Sequence, residues 1–257
     1  MNKRFVISFV VVVIYLVIIL VGAKLEVGDG TMRQAEMVSR QISISLILGL
    51  IFLIGVVRFF GWSSDSGLTP IRSTKSLLIL WLPVLFILVF FILSVLLGFP
   101  PAQAILFVGI NTLLVGISEE LAFRGILFSG ARSALRPIGA ITLTSVIFGA
   151  VHVFNGFTTG DWGSAAVQAV AAAMSGLLFI AILIRTGSII PAMIIHWLWD
   201  FGIFALGSRG GHHAAPAPAD PTVMSVLAPI LFVMPNFLYA LWLLRGIGNK
   251  SNEEIMA

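Results

Sequence analysis

The amino-acid sequence predicts an all-α fold: a polytopic transmembrane bundle of eight helices with both termini in the cytoplasm. Hydrophobic residues fill 59% of the 257 positions and charged residues only 10%, whereas a soluble domain carries about a quarter charged residues. The apolar residues form runs of about 20 positions, the length at which a helix crosses the hydrocarbon core. Lysine and arginine are distributed unevenly between alternate connections, which sets the orientation.

Eight apolar runs are predicted to span the membrane. The first, from Phe5 to Ala23, has 19 residues and exceeds the ~7–15 residues of a signal-peptide core, so we expect it to stay uncleaved. The runs are long and continuous, which favours helices over the ten-residue alternations of a β-barrel, and Pro101 and Pro137 fall at predicted breaks. The predicted spans are 5–23, 42–60, 77–98, 104–130, 138–156, 164–184, 188–206 and 223–244.

The basic residues orient these spans. With the amino terminus inside, ten lysines and arginines fall on the cytoplasmic side and four, Lys24, Arg33, Arg40 and Arg209, on the outer side. Residues 207–221 are predicted to be a flexible outer loop rich in glycine, alanine and proline, and the pair His212 and His213 is interpreted as its tip instead of a metal site. Nothing in the composition marks a separate soluble domain, so we expect one membrane domain over residues 1–257.

Composition also excludes several classes of function. The chain has no cysteine, which rules out disulfides, thiolate metal sites and cysteine nucleophiles. Its net charge is +4, but the basic residues are scattered singly between apolar runs, so nucleic acid is not an expected partner and the lipid bilayer is. We find no internal repeat, which argues against a transporter built from inverted repeats.

Apart from Arg58 near the end of span 42–60, six charged or histidine residues lie inside predicted spans, where a charge costs about 2.5–3.5 kcal/mol and is usually functional. Glu120 and Arg124 are four positions apart in the favourable order for a helical ion pair, a pair whose role could be purely structural. Glu119 points about 100° away from Glu120 on an α-helix and needs another partner. A desolvated carboxylate of this kind is a candidate general base or acid.

The remaining three residues lie on two further spans. His196 and Asp200 are four apart and share a helix face, so the carboxylate could orient the imidazole. His152 follows Phe148 by one helical turn, although taken alone it could be a simple interfacial histidine. Three helices thus deliver Glu, His and His to one bundle, a set that can deprotonate water or bind a divalent metal such as zinc. A proton or ion relay is the alternative chemistry.

The three motifs resemble a known family. EExxxR at Glu119, Glu120 and Arg124, FxxxH from Phe148 to His152, and HxxxN/D from His196 to Asp200 are similar to the motifs of the CPBP family of CAAX-protease-like intramembrane endopeptidases. The resemblance covers residues 75–206, the expected catalytic core.

This resemblance implies hydrolysis of a peptide bond inside the membrane, with a peptide or a membrane protein as substrate. It implies that Glu119 activates water with help from His152, that His196 and Asp200 stabilise the oxyanion, and that Glu120 and Arg124 organise the site. Asp200 departs from the asparagine usual in the prenyl-endopeptidase branch, and an ionised carboxylate cannot donate a hydrogen bond. The family has been described both as metal-dependent and as glutamate-dependent, so a metal stays open here.

Two other functions are compatible with the sequence. One is a non-catalytic membrane scaffold, regulator or bacteriocin-immunity protein of the same fold; the other, a transporter or proton channel, would need more polar residues than the spans contain. A compact chain of this kind favours a bacterial cell membrane. One geometric conflict is also expected: Glu119 falls towards the cytoplasmic end of its predicted helix and His152 towards the outer end of its own, so the two meet only if a helix bends, tilts or starts deeper.

Overall fold

The chain folds as a bundle of long helices. A computed structural model describes residues 2–209 and 223–255, and within these residues the protein is about 80% helix and has no β-strand. The predicted all-α fold class is therefore confirmed. The pair His212 and His213 lies outside the described residues, and the assignment of the whole chain to one domain remains a prediction.

The helices follow the predicted spans closely. A 3₁₀ segment precedes α4 (Thr74–Leu80), another follows α7 (His152–Asn155), and a π-helical segment joins α5 to α6 (Leu121–Phe128). In chain order the helices are α1 (Lys3–Val27), α2 (Gln34–Arg40), α3 (Ile44–Phe59), α4 (Trp81–Leu97), α5 (Ala102–Glu120), α6 (Ser129–Arg132), α7 (Pro137–Val151), α8 (Gly156–Thr159), α9 (Trp162–Thr186), α10 (Ile190–Gly207) and α11 (Val223–Leu243).

Seven helical units in the described part of the chain are long and apolar enough to cross a membrane. The eighth predicted span, 42–60, differs from the other seven. Helix α3 has only 16 residues, about 24 Å at 1.5 Å per residue, and it passes as a span only together with α2, from which it is bent by 84°. The protein is therefore a multi-pass membrane protein with seven or eight spans.

The bend between α2 and α3 is held by buried polar side chains. Asn111 of α5 is fully buried, and its Oδ1 accepts a hydrogen bond from the Ser43 backbone N–H at 2.9 Å. Its amide group donates to the carbonyls of Val38 and Gln41 at 2.9 and 2.7 Å. Because a bend frees backbone groups that lipid cannot satisfy, a buried amide at this point stabilises it.

Close contacts between helices set the positions of the polar residues. A Cβ at Gly116 of α5 would lie 2.9 Å from the backbone nitrogen of Trp197 and 3.0 Å from the carbonyl of Met193 in α10. A Cβ at Gly149 of α7 would lie 2.5 Å from the carbonyl of Ala169 in α9. Glycine thus lets α5 approach α10 and α7 approach α9 at backbone distance, as small residues do between membrane helices.

The connections gather at two ends of the bundle. At one end the Asn2 side chain donates to the Ser133 carbonyl at 2.7 Å, which joins the amino terminus to the connection before α7. At the other end the Met32 N–H donates to the Thr158 carbonyl at 2.9 Å, which joins the α1–α2 connection to α8. The first end is predicted to be cytoplasmic and the second to be outer; the orientation itself stays a prediction.

Candidate active site

The centre of the bundle contains an ion pair with no solvent exposure. Nη1 of Arg124 donates to Oε1 of Glu120 at 3.0 Å, and both side chains are fully buried. This is the pair that the four-residue spacing predicted. A buried charge is tolerated only when it is paired, so each residue requires the other.

Arg124 lies in the π-helical segment Leu121–Phe128, all eight residues of which are buried. The sequence predicted a helical span over 104–130, and it did not indicate the π-helical segment because π-helical turns carry no distinct hydrophobic pattern. Such turns are rare in proteins, and those that occur often lie at functional sites. The segment begins directly after Glu119 and Glu120, so the helix changes register immediately beyond the two carboxylates.

His196 of α10 connects the three carboxylates of the site. Its Nδ1 donates to Oε1 of Glu120 at 2.9 Å, since a carboxylate oxygen only accepts. Its Nε2 lies 3.8 Å from Oε2 of Glu119 and 3.5 Å from Oδ2 of Asp200. Glu119, which the sequence left without a partner, therefore faces His196, and the face shared by His196 and Asp200 points at the carboxylates of α5.

His152 presents one nitrogen to the site. Its Nδ1 lies 2.7 Å from the carbonyl oxygen of Phe148, which only accepts, so Nδ1 carries a proton and donates. In the neutral ring Nε2 therefore holds the lone pair and can accept a proton. The Phe148 ring also contacts the imidazole edge-to-face at a centroid distance of 4.9 Å, the arrangement that the FxxxH spacing predicted.

Two aromatic rings support the charged groups. The guanidinium of Arg124 lies 3.9 Å from the ring centre of Phe148 and 5.1 Å from that of Phe179, and Phe179 stacks on His196 at 4.7 Å. Sequence reasoning missed Phe179. The chain has 20 phenylalanines, and no spacing to a polar residue marks this one before α9 and α10 are placed side by side.

Two adjoining cavities reach these residues. The first, about 180 Å³, is lined by Glu119, His152 and Asp200. The second, about 360 Å³, is lined by His152, His196 and Asp200 and by aromatic side chains. His152 and Asp200 line both cavities, so the candidate site residues from α5, from the 3₁₀ segment after α7 and from α10 converge where the cavities adjoin.

The conflict expected between Glu119 and His152 does not arise. The unit Ala102–Arg132 is continuous, and Glu119 lies about 20 Å from its Arg132 end at 1.5 Å per residue. His152 lies about 22 Å from Pro137, the adjacent end of the next helix. The two residues are thus at similar depth, and the earlier expectation was wrong because it compared different ends of the two helices.

Neutral polar residues of the cavities were also missed. Gln168 of α9 lines both cavities, and its Oε1 accepts from the Asn155 amide at 2.9 Å. Asn111 lines the first cavity. An amide inside an apolar span is itself a signal, and a search that included uncharged polar residues would have found Asn111 and Gln168.

The histidine and carboxylate side chains of the site are of the types that can bind a metal ion. Among residues 2–209 and 223–255, no group of three or more His, Asp or Glu side chains is arranged to hold a metal ion. Both nitrogens of His196 face carboxylates at hydrogen-bond or ion-pair distance, so the imidazole already has partners for Nδ1 and Nε2. The arrangement of these side chains does not fit a metal centre.

The fold and the site define a multi-pass helical membrane protein whose bundle encloses a cluster of carboxylates and histidines beside two cavities. Residues 101–202 match the family model described as "Type II CAAX prenyl endopeptidase Rce1-like". Over these residues the chain is therefore similar to the CPBP, or CAAX-protease, family, a protease family, as the three motifs predicted. The matched range includes all six candidate site residues. Comparisons with curated proteins and with solved structures found no match.

Proposed function

We propose that the protein is an intramembrane endopeptidase in which Glu119 activates a water molecule for attack on a peptide bond. The observation that carries this proposal is the position of Glu119. It faces His196 Nε2 at 3.8 Å and lines one cavity with His152 and Asp200. Its buried Oε2 accepts no hydrogen bond from any described residue. A carboxylate oxygen of this kind needs a hydrogen-bond donor, and water in the cavity can supply one.

The first step forms the tetrahedral intermediate. Glu119 takes a proton from the water while the water oxygen forms a bond to the peptide carbonyl carbon, and the carbonyl oxygen becomes an oxyanion. The lone pair on His152 Nε2 can hold the second hydrogen of the water and orient it. Both groups border the same cavity, so one water molecule can contact both.

The second step breaks the C–N bond. Glu119 returns its proton to the amide nitrogen, which leaves as an amine, and the oxyanion collapses to a carboxylic acid. His196 is the available N–H donor for the oxyanion when Nε2 is protonated. Glu120 accepts from its Nδ1, and Asp200 lies 3.5 Å from Nε2, close enough to stabilise the charged imidazole. Fixed donors in a water-poor site are worth about 2.7–4 kcal/mol each in measured hydrolases.

Glu120 and Arg124 act in this scheme by holding His196. Glu120 Oε1 accepts from both the guanidinium at 3.0 Å and the imidazole at 2.9 Å. The two adjacent acids therefore have different tasks: Oε1 of Glu120 accepts from two side chains, and Glu119 faces the cavity.

The experiment that tests this function compares two glutamates of one cavity. Purified protein in lipid vesicles is incubated with a defined library of synthetic peptides, and products are identified by mass spectrometry. Glu119→Gln removes the proton acceptor and is expected to slow cleavage at least about 100-fold, the usual contribution of a general base. The thermal unfolding temperature should stay near that of the wild type.

Glu26→Gln is the matched control. Glu26 lines the same cavity, but its Oε1 accepts from the Ser45 N–H at 2.8 Å and the Ser43 hydroxyl at 3.1 Å, and a glutamine oxygen can do the same. This variant is expected to cleave at the wild-type rate. Equal cleavage by Glu119→Gln and wild type would refute the proposal, and a cellular phenotype that survives Glu119→Gln would favour the non-catalytic scaffold or immunity protein.

A further inference from the structure

The two cavities are placed asymmetrically along the bundle. Beyond the site residues, the first is lined by Glu26 at the end of α1, Gln34 at the start of α2, and Thr158 of α8. The second is lined by Ser164 in the first turn of α9 and by Pro229 in the first half of α11. All of these positions belong to the end of the bundle that carries the α1–α2 connection.

At the opposite end of the bundle, packed residues separate the site from solvent. The connection between α3 and α4 packs against the start of α10, where the Ile189 N–H donates to the Gly67 carbonyl at 2.9 Å. Nη1 of Arg72 donates to the Ile184 carbonyl at 2.7 Å, and Ser66 is 1% exposed. Together with the buried π-helical segment, these contacts form a packed layer between the carboxylates and this end.

Charge distinguishes the two ends. The closed end carries ten lysines and arginines and the open end four: the ten are Lys3, Arg4, Arg58, Arg72, Lys75, Arg132, Arg136, Arg185, Arg245 and Lys250, and the four are Lys24, Arg33, Arg40 and Arg209. Contacts confirm that the basic segments share one end: Arg4 bonds to Asp65, and Arg132 donates to the Asn252 carbonyl. Because lysine and arginine are retained on the cytoplasmic side, the cavities open away from the cytoplasm.

We infer that the site is reached from the extracytoplasmic face and acts on a peptide presented there. This inference rests on the proposed function, because the peptide is a substrate only if the protein is a protease. The second cavity is lined by Phe179, Trp199, Phe204 and Phe232, so the peptide that fits carries an aromatic or large aliphatic residue beside the scissile bond. The substrate class is thus an exported apolar peptide or the outer end of a membrane helix, instead of a cytoplasmic carboxyl-terminal tail.

The absence of cysteine from the whole chain allows a direct test. Ser164→Cys places a thiol at the mouth of the second cavity, and Ser133→Cys places one at the closed end; both serines are exposed. Cells that express each variant are treated with a membrane-impermeant maleimide before and after permeabilisation. Ser164→Cys is expected to react in intact cells, and Ser133→Cys only after permeabilisation. The reverse pattern would overturn the inference.

A second position guards against a folding defect in one variant. Gln34→Cys lines both cavities from α2 and is expected to label like Ser164→Cys. In purified protein, a bulky maleimide on Ser164→Cys should reduce peptide cleavage at least about tenfold, about 1.4 kcal/mol, whereas the same group on Ser133→Cys should leave it unchanged.

The labelling result does not depend on catalysis, so the two hypotheses fail separately. Reversed labelling with intact cleavage would overturn the assignment of the face and leave the proposed function standing. Predicted labelling with no difference in cleavage between wild type and Glu119→Gln would overturn the proposed function, and with it the assignment of a substrate.

Discussion

The contact between α5 and α10 gives a quantitative prediction for Gly116→Ala. A Cβ at Gly116 would lie 2.9 Å from the Trp197 backbone nitrogen, against the 3.4 Å or more of an ordinary contact. The helices must therefore separate by about 0.5 Å. Gly116 lies one turn before Glu120, and Met193 and Trp197 flank His196, so the displacement falls on the bond between the carboxylate and the imidazole.

The expected effect on stability follows from packing. Overpacking of this size costs about 1–3 kcal/mol, offset by the better helix propensity of alanine, worth up to about 1 kcal/mol. With the full offset a net loss of up to about 2 kcal/mol remains, which lowers the unfolding temperature by up to about 8 °C for a chain of this size. If the shift is fully transmitted, the Glu120–His196 distance rises from 2.9 Å to about 3.4 Å, beyond a good hydrogen bond.

The assay measures thermal unfolding in detergent and peptide cleavage in vesicles on the same preparations. Cleavage should fall at least about tenfold, because the lost charge-assisted bond is worth about 1.5–3 kcal/mol. The matched control is Gly55→Ala in α3, where a Cβ would meet nothing within 4 Å; it should be unchanged or slightly stabilised. If both alanine variants unfold and cleave alike, the spacing of α5 and α10 does not control the site.

Three further predictions concern the buried pair, the metal and the start of α9. Arg124→Met leaves the buried Glu120 carboxylate without its arginine partner, with only His196 still donating to it, and should lower the free energy of unfolding by about 3–5 kcal/mol. The double variant with Glu120→Leu should lose less than the sum of the two single variants, and an additive loss in thermal unfolding would contradict the proposed pairing. A zinc chelator should leave peptide cleavage unchanged, because the proposed steps use only side chains, and a loss that added zinc restores would contradict them. Asp161 accepts from the Ser164 hydroxyl and backbone N–H, which lowers the pKa of its carboxyl; its cap, worth about 1 kcal/mol, should therefore be present at neutral pH and be lost as the pH falls through that lowered pKa. Asp161→Ala compared with wild type across this range measures the effect, and a difference that does not shrink in acid would argue against it.

The helices and their order were predictable because the bilayer fixes their length. Span 164–184 lies within α9, Trp162–Thr186, and span 77–98 largely matches α4 with its preceding 3₁₀ segment. The bend between α2 and α3 was not predictable, since it depends on Asn111 reaching across from α5 to carbonyls about 70 positions earlier. Hydropathy records how apolar a run is, and it carries no information on such long-range hydrogen bonds.

In the candidate site, too, local features were predictable from the sequence and long-range contacts were not. The pairing of Glu120 with Arg124 was predictable because i, i+4 spacing is a local property of helices. The bridge from His196 to Glu120 was not, because it joins residues 76 positions apart and depends on Gly116 admitting α10 at backbone distance. Phe179 was missed for a related reason: its role arises only when α9 is placed beside Arg124 and His196.

An experimental structure in lipid, at a resolution that shows ordered water, tests the central claim most directly. We expect His196 Nε2 within about 4 Å of both Glu119 and Asp200, and one water within hydrogen-bond distance of Glu119 and His152 Nε2. A Glu119 side chain turned towards the acyl chains would contradict it. So would Glu119 and His152 more than about 6 Å apart at their tips, too far for one bridging water.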